Sequence, residues 1–282
     1  MNQFLSIIWN PPVEAFTLLG LPIRFYSLFW VIGLICAYFL VKKLYQEQKL
    51  ASKQFEPLFL YCFIGILVGA RLGHCIFYEP EYYFASFPNF LEMLLPIEFT
   101  GSGVRLTGYR GLASHGGTIG IFVGLWLYCR KQKLSLLRVI DMVCIATPVT
   151  AAAIRLGNLM NSEIVGKPTG SDAGFVFAQL GEDFPRYPAQ LYEALAYLVI
   201  FAVIYMIYRK HKDWVGSGFY FGFCIASIFL FRFFIEFCKE VQSPWEKGLA
   251  LDMGQLLSIP FVIAGAWLIV HAFKTIRKDN KK

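Results

Sequence analysis

The sequence predicts an all-α polytopic membrane protein with seven transmembrane helices. Its N-terminus is expected outside and its C-terminus in the cytoplasm, with an outer arm and an outer head segment. Three observations predict this. The chain is 57% hydrophobic and 16% charged, where a soluble domain carries roughly 25% charged residues. Several apolar runs reach the 18 residues or more that mark a membrane-crossing helix. The basic residues gather in alternate loops, as the positive-inside rule requires.

Taken in order, the opening stretch MNQFLSIIWNPP has no basic leader region and no small-residue cleavage site, so the first helix is expected to stay. Candidate spans follow at about 24–41, 56–78, 111–129, 139–160, 188–208, 215–238 and 249–273. The aromatic segment 80–100 is broken by Pro88 and Pro96, and reads as part of an interfacial arm over 79–110 rather than a span. The segment 161–187, with Glu163, Asp172, Glu182 and Asp183, reads as a water-exposed head. The whole chain, 1–282, is expected to form a single transmembrane domain without internal repeats.

Sixteen basic residues fall in the loops after the first, third and fifth spans and after the last, against seven on the opposite side, Arg110 and Lys247 among them. That asymmetry sets the orientation. It also accounts for the net charge of +7 through an anionic leaflet, so no nucleic-acid partner is implied. The seven cysteines lie in or beside apolar runs with no CxxC pair, and are expected as buried small hydrophobes rather than disulfides or metal ligands. No cluster of histidine with acid or cysteine suggests a metal, and no cofactor is expected.

Arg71, Arg155 and Arg232 stand inside spans. Each costs about 2.5–3.5 kcal/mol on insertion scales. At ~1.5 Å per residue they sit about 27, 25 and 30 Å above the inner-edge basic residues Lys53, Arg138 and Lys212, with His115 about 22 Å above Arg130. One arginine alone would be read as snorkelling to the headgroups. Three arginines and a histidine at one depth predict a cationic pocket opening from the outer leaflet. Guanidinium groups bind phosphate oxygens in forked, charge-assisted pairs, so a phosphate suits it. Glu236, four residues after Arg232, is placed to pair with it and orient it. Glycines spaced by four, Gly65, Gly69 and Gly73 on the second span and Gly116, Gly120 and Gly124 on the third, predict close packing of those two helices.

Several stretches, in order, resemble the prolipoprotein diacylglyceryl transferase family. IRLGNLMNSEIVG (154–166), with Arg155, Asn158, Asn161, Glu163 and Gly166, resembles its signature, and SHGG (114–117) its histidine motif. ARLGHCIFY (70–78), YPAQLYE (187–193), FRFFIEF (231–237) and DMGQLLSIP (252–260) are similar to further blocks. The resemblance covers nearly the whole chain. It implies a seven-helix enzyme of the bacterial inner membrane that moves the diacylglyceryl group of phosphatidylglycerol onto the lipobox cysteine of a prelipoprotein signal peptide, releasing glycerol phosphate. The chain departs from the family at Tyr187, often histidine, and at Ile228, tyrosine in some members. Its first block keeps Tyr26 but reads Arg24-Phe25-Tyr26-Ser27 where the family tends to Trp-Tyr-Gly.

The chemistry so implied needs a thiolate and stabilisation of a departing phosphate ester. Arg155 and Arg232 are expected to hold the phosphate, with Arg71 in reserve. His115 is expected to take the thiol proton, because imidazole titrates near neutral pH; a purely structural role for it stays open. Tyr26, Asn158, Asn161, Glu163, Gly166 and Glu236 are expected to line or orient the lipid headgroup. A carrier or flippase for an anionic phospholipid would use the same arginines without chemistry. Ser114 directly precedes His115, which is poor geometry for a Ser–His pair, and the last span lacks a lysine for a Schiff base.

Overall fold

The computed structural model describes residues 6–18, 21–95, 97–100, 103–106, 111–240 and 251–279. Arg110, Lys247, Lys281 and Lys282 of the charge count, and Pro96 of the arm, lie outside them. The described elements are β1 (Ser6–Trp9), β2 (Glu14–Leu18), β3 (Leu21–Arg24), α1 (Phe25–Glu47), α2 (Ser52–Phe77), α3 (Pro80–Tyr83), α4 (Phe87–Leu94), β4 (Ile97–Thr100), β5 (Gly103–Leu106), α5 (Ser114–Gln132), α6 (Leu136–Met160), β6 (Gly174–Phe177), α7 (Ala189–Lys210), α8 (Phe219–Ile235) and α9 (Met253–Asp279).

The chain is a mostly helical, polytopic membrane protein. Among the described residues six helices, α1, α2, α6, α7, α8 and α9, are long and apolar enough to cross a bilayer. The remaining expected span, 111–129, forms the 19-residue helix α5, but its four glycines and its basic last turn set it apart from those six. Helix α1 runs to Glu47 and α9 to Asp279, beyond the apolar runs that ended the expected spans at 41 and 273. Hydropathy marks where the lipid ends; Lys, Glu and Gln are good helix formers and carry the backbone on into the interface. The all-α expectation needs correction outside the spans. There β1 pairs parallel with β6, β2 antiparallel with β3, and β4 antiparallel with β5. Away from lipid, extended backbone can be satisfied by pairing and by water.

The chain divides into two compact units, Tyr45–Val139 and the remainder. In the first, α2 and α5 pack along their glycines. A Cβ at Gly73 would lie 2.7 Å from Gly116 Cα, and one at Gly120 would lie 2.9 Å from Gly69 Cα. The contact is backbone on backbone, as the four-residue spacing predicts. Gly120→Ala is therefore expected to force the helices apart at a cost of about 1–3 kcal/mol, read as a lowered thermal midpoint in detergent. At the far end of this pair Tyr45 and Tyr128 share a buried hydroxyl contact of 3.1 Å, and Tyr128 Oη donates to the Gln54 carbonyl at 2.5 Å.

In the second unit a buried cluster of Ala152 on α6 and Ala194 and Tyr197 on α7 packs against Ile228 and Phe231 of α8. Ile228 thus supplies packing where a tyrosine would bring a hydroxyl. At the other end of these helices the fully buried Asp141 of α6 caps α8. Its carboxylate accepts from the backbone N–H groups of Gly216 (2.8 Å), Gly218 (2.9 Å) and Phe221 (2.9 Å). An anion at a helix N-terminus satisfies otherwise orphaned donors and suits the helix dipole. Four of the seven cysteines, Cys75, Cys129, Cys144 and Cys224, are buried as expected; Cys36 is exposed and Cys62 and Cys238 are half-buried. An apolar run in a membrane helix can face lipid as readily as the core.

Candidate active site

The C-terminal ends of α6 and α8 and the N-terminal end of α7 bring five charged side chains into one chain of ion pairs. Arg155 Nε lies 3.2 Å from Glu193 Oε2, and Lys239 Nζ lies 3.1 Å from Glu193 Oε1 and 3.1 Å from Glu236 Oε1. Arg232 Nε closes the row at 3.4 Å from Glu236 Oε1, the i,i+4 pair expected from the sequence. Burial is deepest in the middle: the side chains of Glu193 and Lys239 are 0% and 3% exposed, that of Arg155 15%, and that of Arg232 37%. Tyr197 Oη donates to Glu193 Oε1 at 3.3 Å, placing the row directly on the apolar cluster below. Three cations face two carboxylates, so this row carries one excess positive charge. The buried acids hold the guanidinium groups from the protein side, and the arginines at the two ends are the more exposed members.

The signature segment adds further polar contacts around Arg155. Arg155 Nη1 donates to Asn158 Oδ1 at 3.4 Å, and the amides of Asn158 and Asn161 each donate to the Glu163 carboxylate at 3.1 Å. Gln190 Nε2 donates to the Glu163 carbonyl at 2.5 Å. The turn places Ser162 at φ 52° and Ile164 at φ 56°. Left-handed backbone at a β-branched residue is rare and costs on the order of 1–3 kcal/mol. These side-chain bonds hold the strained turn that presents Glu163 and Asn161 beside Arg155.

Gly166 has a backbone reason to be glycine. A Cβ there would stand 2.7 Å from Tyr187 Cβ and 2.9 Å from the Cys238 carbonyl oxygen. Its N–H donates to the Tyr187 carbonyl at 3.0 Å, and Lys167 N–H to that of Cys238 at 2.8 Å. This close crossing fixes Lys239 on the segment after α8 against the signature. Arg186 tightens it: one edge takes Glu182 at 2.5 and 2.7 Å, and Nη1 reaches the Gly166 carbonyl at 3.0 Å and Glu240 at 2.8 Å. The Glu182 carboxylate holds the Arg186 pKa above its usual value. Tyr26, in the first turn of α1, packs on Gly157 and lies close enough to Glu163 and Arg155 to feel both charges.

Arg71 and His115 belong to the other compact unit. Arg71 is buried, and its Nε and Nη2 donate to the carbonyls of Met93 (3.2 Å) and Glu92 (2.7 Å), the last turn of α4. Its guanidinium also lies 4.9 Å from the Tyr83 ring centroid. These contacts cap α4 and pin the arm to α2, so Arg71 serves as an anchor. In the same arm Tyr82 Oη donates to Glu92 at 2.8 Å, and that bond pushes the phenol up to about 12. Arg71→Gln is expected to loosen the arm, with limited proteolysis cutting between 79 and 95 several-fold faster than in the parent. His115 is exposed in the first turn of α5. His74 lies 3.6 Å from Glu79 and stacks on Tyr78 at the end of α2.

The model of the family described as prolipoprotein diacylglyceryl transferase matches residues 13–271. The chain belongs to that family. A phosphatidylglycerol–prolipoprotein diacylglyceryl transferase from Bacteroides fragilis is 53% identical over 269 residues, covering 95% of this chain and 96% of the relative. Proteins of the same name from Porphyromonas gingivalis and Chloroherpeton thalassium are 44% identical over 284 residues (95% of each chain) and 37% identical over 281 residues (99% of each). The ion-pair row lies wholly within the matched range, on the family-like blocks 154–166, 187–193 and 231–237 and on Lys239 just beyond them. Sequence reasoning did not place Glu193 in the site and left the role of Lys239 open, yet these two form the buried middle of the row. Glu193 was detectable by the same logic as the arginines: it is the one acid in the apolar run 189–208, and an unpaired carboxylate there would be as costly as an unpaired cation.

Proposed function

We propose that this chain transfers the diacylglyceryl group of phosphatidylglycerol to the lipobox cysteine of a prelipoprotein signal peptide. The site faces the outer leaflet of the bacterial cytoplasmic membrane, with the N-terminus outside, the C-terminus inside, and α5 crossing as the seventh span. Family membership supports the reaction. The observation that carries the site is the ion-pair row, whose two end guanidinium groups, Arg155 and Arg232, are its more exposed members.

The reaction is a substitution at the glycerol carbon that bears the phosphate. The thiol proton leaves to His115, the sulfur lone pair forms the S–C bond, and the C–O bond breaks. Its electron pair stays on the phosphate oxygen, so the products are a thioether and glycerol phosphate. Arg155 and Arg232 hold the phosphate and stabilise the charge that develops on the departing ester. Glu193 and Glu236 keep the two guanidinium groups aimed, and Lys239 holds those two acids together. Asn158, Asn161, Glu163 and Tyr26 contact the headgroup glycerol or orient Arg155. Arg71 acts through the arm and Gly166 through the chain crossing.

A purified-protein assay with phosphatidylglycerol and a lipobox peptide tests this. His115→Ala is expected to lose on the order of 10²–10⁴-fold in turnover, with partial recovery at high pH, where more of the peptide is already thiolate. Near-normal turnover in that variant would remove His115 from the base role.

A further inference from the structure

The end of the second unit away from the ion-pair row carries a groove that the transfer reaction does not use. Val203, Met206 and Ile207 of α7 form one wall, and Trp214, Phe219 and Phe273 form an aromatic floor. Its volume of about 410 Å³ falls within the range of ligand sites. The floor is ordered by contact: Trp214 stacks on His211 with centroids 4.0 Å apart, and meets Phe219 edge-on at 4.9 Å and Phe273 at 5.5 Å. Lys210 and His211 line the rim. The stretch Arg209–Trp214 reads Arg-Lys-His-Lys-Asp-Trp, so it carries three permanent cations against the single acid Asp213. Lys210 lies 17 residues along α7 from Glu193, about 26 Å. The groove and the ion-pair row therefore sit at opposite faces of the bilayer.

We propose that this groove binds an anionic phospholipid of that leaflet as a resident lipid, distinct from the substrate. An acyl chain lies along Val203, Met206 and Ile207, and the phosphate meets Lys210 at the rim. Charge complementarity selects this occupant. A zwitterionic lipid would fill the apolar wall equally but would gain less from Lys210 in the groove lining and the net basic stretch around it, since each Lys or Arg near an anionic surface adds to binding. An apolar wall, an aromatic belt and a basic rim at one helix end is also the order in which a phospholipid presents chain, interface and phosphate.

The full-length protein is placed in phosphatidylcholine nanodiscs holding a trace of diazirine-acyl phosphatidylglycerol or of its phosphatidylcholine counterpart. No peptide is present, so no transfer occurs. Photolabelled residues are mapped by mass spectrometry. Labelling of Val203, Met206 and Ile207 is divided by that of Ile32 and Phe39, exposed apolar residues of α1. The normalised labelling is expected to be about fivefold higher with phosphatidylglycerol, and to fall to parity in Lys210→Gln. Met206→Trp, which fills the groove, is expected to lower labelling by both lipids. Equal labelling by the two headgroups in the parent would overturn the proposal, as would an excess that survives Lys210→Gln. Activity is not read, so failure here leaves the transfer reaction untouched.

Discussion

Arg155→Lys is expected to lower diacylglyceryl transfer by roughly 10²-fold, a loss typical of removing one preorganised donor from a developing oxyanion. The substitution keeps the positive charge. What it removes is geometry. In the parent, Nε lies 3.2 Å from the Glu193 carboxylate and Nη1 donates to Asn158 at 3.4 Å, and a planar guanidinium carries five N–H donors to divide among such partners. An ammonium is a single point and cannot engage Glu193 and also present parallel N–H groups to a phosphate. The loss is expected mainly in turnover, with a smaller change in KM, because the fork counts most when charge gathers on the leaving oxygen. Full activity in the lysine variant would show that Arg155 contributes charge alone.

Glu193→Gln is expected to be the more damaging change to the folded protein. Glu193 is fully buried and bridges Arg155 and Lys239. Removing its charge leaves two cations without their shared acid, and breaking a buried pair from one side costs about 3–5 kcal/mol. Thermal stability in detergent should drop accordingly, and transfer should fall with it as Arg155 loses its aim. The double variant Glu193→Gln with Lys239→Met is expected to be more stable than the single one, because the second change removes an uncompensated buried cation. It should not recover transfer, since Arg155 still lacks its carboxylate. A double variant less stable than Glu193→Gln would mean that Lys239 is held chiefly by other groups.

The spans and the packing of α2 on α5 were legible because they depend on local patterns. Apolar run length, the four-residue glycine spacing and the i,i+4 offset of Arg232 and Glu236 are all read from neighbours in sequence. The helix ends were misjudged where charged but helix-favouring residues continue a helix past the lipid, as at Lys42–Glu47. The ion-pair row was half legible. Its arginines were conspicuous by cost, but Glu193 and Lys239 meet only because Gly166 lets the chain after α8 cross the signature, and that is a contact between distant segments. Arg71 shows what depth leaves out. It passes the same depth arithmetic as Arg155, yet its guanidinium is used on the Glu92 and Met93 carbonyls of an arm whose placement no local pattern specifies. Depth identifies a costly charge; only tertiary structure says what answers it.

The most direct test of the account is a mass balance. The purified protein is given phosphatidylglycerol and a lipobox peptide, and the glycerol phosphate released and the thioether-linked peptide formed are counted together. The account predicts equal molar amounts of the two, no release without peptide, and loss of both in Arg155→Lys. Phosphatidylglycerol that crosses the bilayer intact, with neither product formed, would contradict it and point to an anionic-lipid carrier built on the same arginines.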